Sequence, residues 1–119
     1  MAFKKILSRL IDSVPGANGA ILADWEGEAV DQVARMDDYE LKVIGAHKGV
    51  ILANLRDVVR RLEGSDLKEI VVTSAHMQVI IMPITPEYFL VLTLERSDAL
   101  GRALFEARRC VMLLRDEII

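Results

Sequence analysis

Phe3, Ile6, Leu7, Leu10 and Ile11 recur at i, i+3, i+4, i+7 and i+8, which predicts one apolar stripe along a helix. Lys4, Lys5, Arg9 and Asp12 fall mostly off that stripe, and Pro15-Gly16 ends it. Two apolar runs, GAILAD and EAVDQV, then flank Asp24-Trp25-Glu26-Gly27. A short polar loop closing on glycine between such runs predicts a β-hairpin. Asp37 and Asp38 supply an N-cap for a long central helix that runs to about Glu63, with Gly64 as its stop. Three β-rich runs follow, Lys68 to Thr73, Met77 to Ile84 and Tyr88 to Glu95. Their short polar connections, Ser74-Ala75-His76 and Thr85-Pro86-Glu87, favour an antiparallel meander. Ser97 or Asp98 caps a last helix with the stripe Leu100, Leu104, Ala107, Val111, Leu114 and Ile118.

The expected order is therefore α-β-β-α-β-β-β-α. Antiparallel strands interleaved with helices indicate an α+β layer fold, in which one five-stranded sheet takes helices on one or both faces. No linker or repeat interrupts the 119 residues, which are expected to form a single domain over 1–119.

The central helix is apolar on too many sides. Leu41, Ile44, Ile51, Leu52, Leu55, Val58, Val59 and Leu62 form one broad sector, enough to cover a sheet. Beside it Gly45, Gly49 and Ala53 recur every four positions, with Ala46 close by, and Tyr39, Val43 and Val50 extend the apolar surface further. Each interior glycine costs about 1 kcal/mol relative to alanine, and close approach of another backbone would offset that cost. The helix begins Asp37, Asp38, Glu40 and ends Arg56, Arg60, Arg61. That arrangement suits the helix dipole, and it equally suits antiparallel pairing with an identical helix. A homodimer built on this helix is the favoured reading. The competing one is a helix wholly buried within a monomer.

Composition sharpens that picture. Hydrophobic residues make up 52% of the chain, high for a small monomer, and a self-complementary apolar face accounts for the excess. A net charge of −3 argues against nucleic-acid binding. The single cysteine excludes an internal disulfide framework and a multi-thiol zinc site. No stretch approaches eighteen uninterrupted apolar residues, and Arg9 and Asp12 interrupt any signal-like opening. The expected location is cytoplasmic, with no membrane insertion.

These patterns together resemble the roadblock/dynein light chain family, including its MglB-like bacterial members. The residues that carry the likeness are the proline-glycine after the first helix, the hairpin GAILADWEGEAV with its Asp-x-x-Gly turn, the long central helix, QVIIMPI running into YFLVLTLE, and the final LGRALFEARRCVMLLRDEI. The likeness spans nearly the whole chain. It implies a roadblock/profilin-like five-stranded antiparallel sheet, with the long central helix on one face and the terminal helices on the other. It also implies a homodimer or paired heterodimer, joined through the central helix and the adjoining edge strand into one continuous sheet. Val71, on the strand after the central helix, is placed in that interface with Tyr39, Val43, Gly45, Ala46, Gly49, Val50 and Ala53. Members of the family act as platforms for Ras-like small GTPases or as adaptors on motor complexes. MglB-type members stimulate GTP hydrolysis by a partner GTPase and help set cell polarity. The expectation is a compact member that ends at its last helix, without the further extension that some MglB-type proteins carry.

Enzyme chemistry finds little footing. His47 and His76 are the only histidines, one in the central helix and one in a turn, and neither belongs to a metal or acid–base pattern. Cys110 is expected to be a half-buried structural thiol at the edge of the last stripe. No serine lies in a G-x-S-x-G setting, and no G-x-x-x-x-G-K-[ST] phosphate loop occurs, so no cofactor is expected. Arg108, Arg109 and Arg115 are assigned to the polar side of the last helix without a special role. Trp25, on the hairpin turn, is either a partner anchor or a side chain folded back on a helix. Lys42, Arg56, Asp57 and Arg60 rim the central helix and are the expected partner contacts. The expected function is a non-enzymatic homodimer that binds a Ras-like small GTPase, the partner supplying nucleotide and Mg²⁺. The alternative is a dimeric adaptor with no effect on GTP turnover.

Overall fold

The computed structural model describes residues 2–24, 28–34, 68–95 and 99–118. The first helix, α1 (Ala2–Ser13), forms as its periodicity predicts. Phe3, Leu7, Leu10 and Ile11 lie on its buried side, while Lys4, Lys5, Arg9 and Asp12 are exposed. The helix stops where Ser13 turns its hydroxyl back to the Leu10 carbonyl at 2.9 Å, and Gly16 follows with φ +83°. That left-handed backbone is the one glycine adopts without a Cβ penalty. The turn carries the chain directly into the sheet, where the Glu95 amide donates to the Gly16 carbonyl at 2.9 Å.

Five strands follow: β1 (Ala17–Asp24), β2 (Ala29–Ala34), β3 (Ile70–Thr73), β4 (Met77–Pro83) and β5 (Tyr88–Glu95). They form one sheet in the order β2-β1-β5-β4-β3, with every neighbouring pair antiparallel. The expected hairpin is β1-β2, with Ala20 opposite Val33 and a register shift between Leu22 and Ala23 near its turn. The expected meander is β3-β4-β5, with Val71 opposite Ile80 and Ile80 opposite Leu92. The two units join through β1 and β5, which pair over most of their length from Ala17↔Leu94 to Asp24↔Tyr88. This places β2 and β3 at the two edges. The β3 strand starts at Ile70, two residues later than the β-rich run Lys68 to Thr73 suggests, and Glu69 just before it turns its carboxylate to the last helix.

The last helix, α2 (Leu100–Ile118), lies with α1 on one face of the sheet. Leu7, Leu10, Ala103, Ala107 and Leu114 from the helices meet Ala20, Leu22, Ile80, Leu90, Leu92 and Leu94 from the strands in a single apolar cluster. The opposite face holds a second cluster of Ile21, Ala23, Val79, Ile81, Phe89 and Val91. Its centre, Ile21, Ile81, Phe89 and Val91, is completely buried. Strands buried on both faces read as continuous apolar runs rather than alternations, which is why QVIIMPI and YFLVLTLE lack a polar side. The terminal helices thus share one face, as expected. The central helix expected on the other falls within 35–67, outside the described residues.

One expectation about α2 is corrected. Its buried line runs through Ala103, Ala107, Cys110, Val111 and Leu114, while Leu100, Leu104 and Ile118 are only partly buried. Cys110 is therefore inside the core at 3% exposure, not half-buried at its edge. The line of most complete burial, Ala103, Ala107 and Leu114, is thus turned from the expected one, and Cys110 lies beside it.

Candidate protein interface

Among the described residues the β3 strand is hydrogen-bonded to β4 on one side only, and the sheet ends there. Its side chains divide between the faces. Ile70 and Val72 pack into the second cluster, and Val71 projects with 37% exposure. A β-branched residue on a short open edge strand is a ready template for strand pairing. Of the expected interface residues, Val71 is the one among the described residues, and it lies on this edge strand.

The remaining expected interface residues, Tyr39, Val43, Gly45, Ala46, Gly49, Val50 and Ala53, lie outside the described residues. So do the expected partner contacts Lys42, Arg56, Asp57, Arg60 and Trp25, and also His47.

The helix behind the edge strand contributes contacts that sequence reasoning missed. Arg108, assigned to a plain polar face, donates through Nη2 to Glu69 Oε1 at 2.7 Å. This hydrogen bond, and secondarily the carboxylate's charge, raises the guanidinium pKa above its ordinary value and outweighs a small opposing desolvation. Arg115 donates through Nε to the Ile84 carbonyl at 3.0 Å. Between these two arginines a cleft of about 460 Å³ opens over Met82, Pro83, Val111 and Met112, with Lys68 and Glu69 on its rim. Nothing in the local sequence signals either bond, since 39 and 31 residues separate the partners.

Burial pushes the Cys110 thiol up to about 12, so it stays protonated at neutral pH and has no thiolate to offer as a nucleophile. His76 lies exposed in the β3–β4 turn. Among the described residues no group of three or more His, Cys, Asp or Glu side chains could hold a metal ion. No helix among them is long and apolar enough to cross a membrane.

The fold and its edge can now be set beside known proteins. The family model for the Roadblock/LC7 domain matches residues 3–94, from the first turn of α1 to the end of β5. The chain belongs to the Roadblock/LC7 domain family. No curated protein matches it by sequence. Solved structures repeat the fold of this Roadblock/LC7 chain at low identity. MglB from Myxococcus xanthus superposes with a TM-score of 0.89 at 11% identity, covering 99% of this chain and 95% of that one. A Roadblock/LC7 domain from Streptomyces avermitilis gives 0.87 at 17% identity, covering 96% and 95%. MglC from Myxococcus xanthus gives 0.71 at 24% identity, covering 98% and 99%. Such distant sequences keep the sheet order and the helix-covered face because the apolar positions, rather than particular side chains, specify them.

Proposed function

We propose that this Roadblock/LC7 chain is a single-domain, non-enzymatic, homodimeric scaffold of the cytoplasm that binds a Ras-like small GTPase. The observation that carries the reading is the match of the whole fold to MglB, together with an open β3 edge that presents Val71. In this reading two copies pair along β3 and along the central segment. Gly45, Gly49, Ala53 and Val50 make the close contact there, with Tyr39, Val43 and Ala46 around them. The paired segments form the platform, rimmed by Lys42, Arg56, Asp57 and Arg60, with Trp25 as a further contact. The GTPase supplies nucleotide and Mg²⁺, and the platform acts by ordering its switch segments. Stimulation of GTP hydrolysis, as in MglB-type members, is the specific form proposed.

The deciding experiment measures GTP turnover by a small GTPase encoded beside this protein, with and without it, alongside a binding assay. Binding with faster turnover supports the full reading. Binding with unchanged turnover supports the alternative, a dimeric adaptor for a motor or signalling complex. The pairing has its own test, because Gly49→Leu should weaken the dimer in sedimentation. A native chain that sediments as a monomer, or a Gly49→Leu dimer as strong as the native one, would sink the central-segment interface.

A further inference from the structure

Arg108, Val111, Met112 and Arg115 fall at i, i+3, i+4 and i+7 of α2. That spacing puts them on one face of the helix, an apolar pair between two arginines. The face lines the cleft of about 460 Å³ whose other wall is Met82 and Pro83 of β4, with Lys68 and Glu69 ahead of β3. Met82 and Val111 are buried, Pro83 is half-buried, and Met112 stands at the side with 64% exposure.

The charges of the cleft are not balanced within it. Arg108 has Glu69 at 2.7 Å. Lys68 and Arg115 have no ion-pair partner among the described residues. Arg115 is held by the bond from Nε to the Ile84 carbonyl at 3.0 Å, which leaves the terminal amino groups of its guanidinium without a partner among the described residues. The lining thus carries three cations against one carboxylate, in a chain whose net charge is −3. Positive charge gathers here against the sign of the whole protein, around an apolar floor.

Charge complementarity selects the occupant. Cations beside a partly desolvated apolar floor favour a carboxylate, and a fixed guanidinium binds one with directed hydrogen bonds. A lone phosphate would engage the cations and leave Met82, Pro83 and Val111 unused. A peptide segment with an apolar side chain between acidic ones engages both, and thioethers adapt their shape to such a side chain. We propose that this cleft docks a segment of a partner protein in which an apolar residue is flanked by Asp or Glu. The apolar side chain lies on Met82, Pro83, Val111 and Met112, and the carboxylates meet Lys68 and Arg115. The contact requires neither the central-segment pairing nor a GTPase.

Carbon-13 methyl NMR of the methionines in the full chain tests this. Met82 and Met112 line the cleft and Met77 does not, so each spectrum contains its own control. The probe is a short peptide with two leucines between pairs of glutamates. The Met82 and Met112 signals should shift saturably while Met77 stays in place. Lys68→Glu and Arg115→Glu should each weaken the titration by about tenfold. Lys68 is exposed and unbonded among the described residues, so its variant keeps the fold, which circular dichroism confirms. A peptide with serine for leucine should bind more weakly, and one with lysine for glutamate should shift neither signal. No shift at Met82 and Met112, a lysine or serine peptide as effective as the probe, or an undiminished Lys68→Glu titration would each overturn the proposal. Inorganic phosphate or phosphatidylserine vesicles that shift Met112 as strongly would overturn it in favour of a small anion or a lipid surface. A Met112 shift on concentrating the chain alone would overturn it in favour of a second copy. Gly49→Leu should leave the titration unchanged, which separates this contact from the proposed dimer.

Discussion

Arg108 and Glu69 are joined at 2.7 Å, so the outer side of α2 is tied to the residue that precedes the edge strand. The bond is solvent-accessible, with side-chain exposures of 58% and 31%. Exposed pairs of this kind contribute little to global stability and weaken with salt. Its effect is local. Glu69→Gln should leave the melting temperature almost unchanged while speeding amide exchange in β3, most clearly at low ionic strength. Uniform exchange in wild type and variant would show that the bond does not hold the edge.

Thr93 is fully buried in the C-terminal half of β5, and its hydroxyl donates to Asn18 Oδ1 at 2.7 Å. This bond helps fasten β1 to β5, the seam that unites the hairpin with the meander. Thr93→Val keeps the shape and strands the Asn18 oxygen, at a cost of about 1–2 kcal/mol. Chemical denaturation reads that loss directly. The double variant with Asn18→Ala should recover part of it, because the orphaned acceptor is then gone.

The Cys110 thiol carries a pH signature. Burial raises it from 9.0 to about 12. An acid whose folded pKa is raised keeps its proton in the folded chain after the unfolded chain has lost its own. The associated stability is fully present below pH 9 and is lost as pH rises from about 9 toward 12, by up to about 1.4 kcal/mol per pH unit. Denaturation midpoints measured across that range should fall more steeply for the native chain than for Cys110→Ala. Thiol-reactive dyes should label Cys110 slowly at neutral pH and rapidly in denaturant.

The elements that announced themselves in the sequence did so through apolar period or turn chemistry. The α1 stripe, the Pro15-Gly16 stop and the β4 and β5 runs all appear where their residues put them. The joining of β1 to β5 was not legible, because it pairs residues about seventy positions apart and no local pattern encodes such a partner. Helix rotation was also hidden. The 3.6-residue period of α2 allows a stripe centred on Leu104 or on Cys110, and only the tertiary packing, which buries Ala103, Ala107 and Cys110 and leaves Leu104 partly exposed, decides for the second. Val71 could be placed at an edge through family resemblance, whereas the bonds of Arg108 and Arg115 depend on tertiary distances that no spacing rule supplies.

Gly16 offers the strictest local test of the fold. Its φ of +83° lies in the left-handed region, and its carbonyl receives the Glu95 amide at the end of β5. A Cβ built there would come no closer than 3.6 Å to the Glu95 carbonyl oxygen, an ordinary contact. Any cost of Gly16→Ala is therefore conformational rather than steric crowding by neighbours, and should be about 1–2 kcal/mol. Asparagine visits the left-handed region more readily than alanine, so Gly16→Asn should lose less. The order of denaturation midpoints is then glycine, asparagine, alanine. If alanine proves as stable as glycine, the turn has relaxed out of the left-handed region, and the Glu95–Gly16 bond that seats α1 against the sheet should be missing from amide exchange as well.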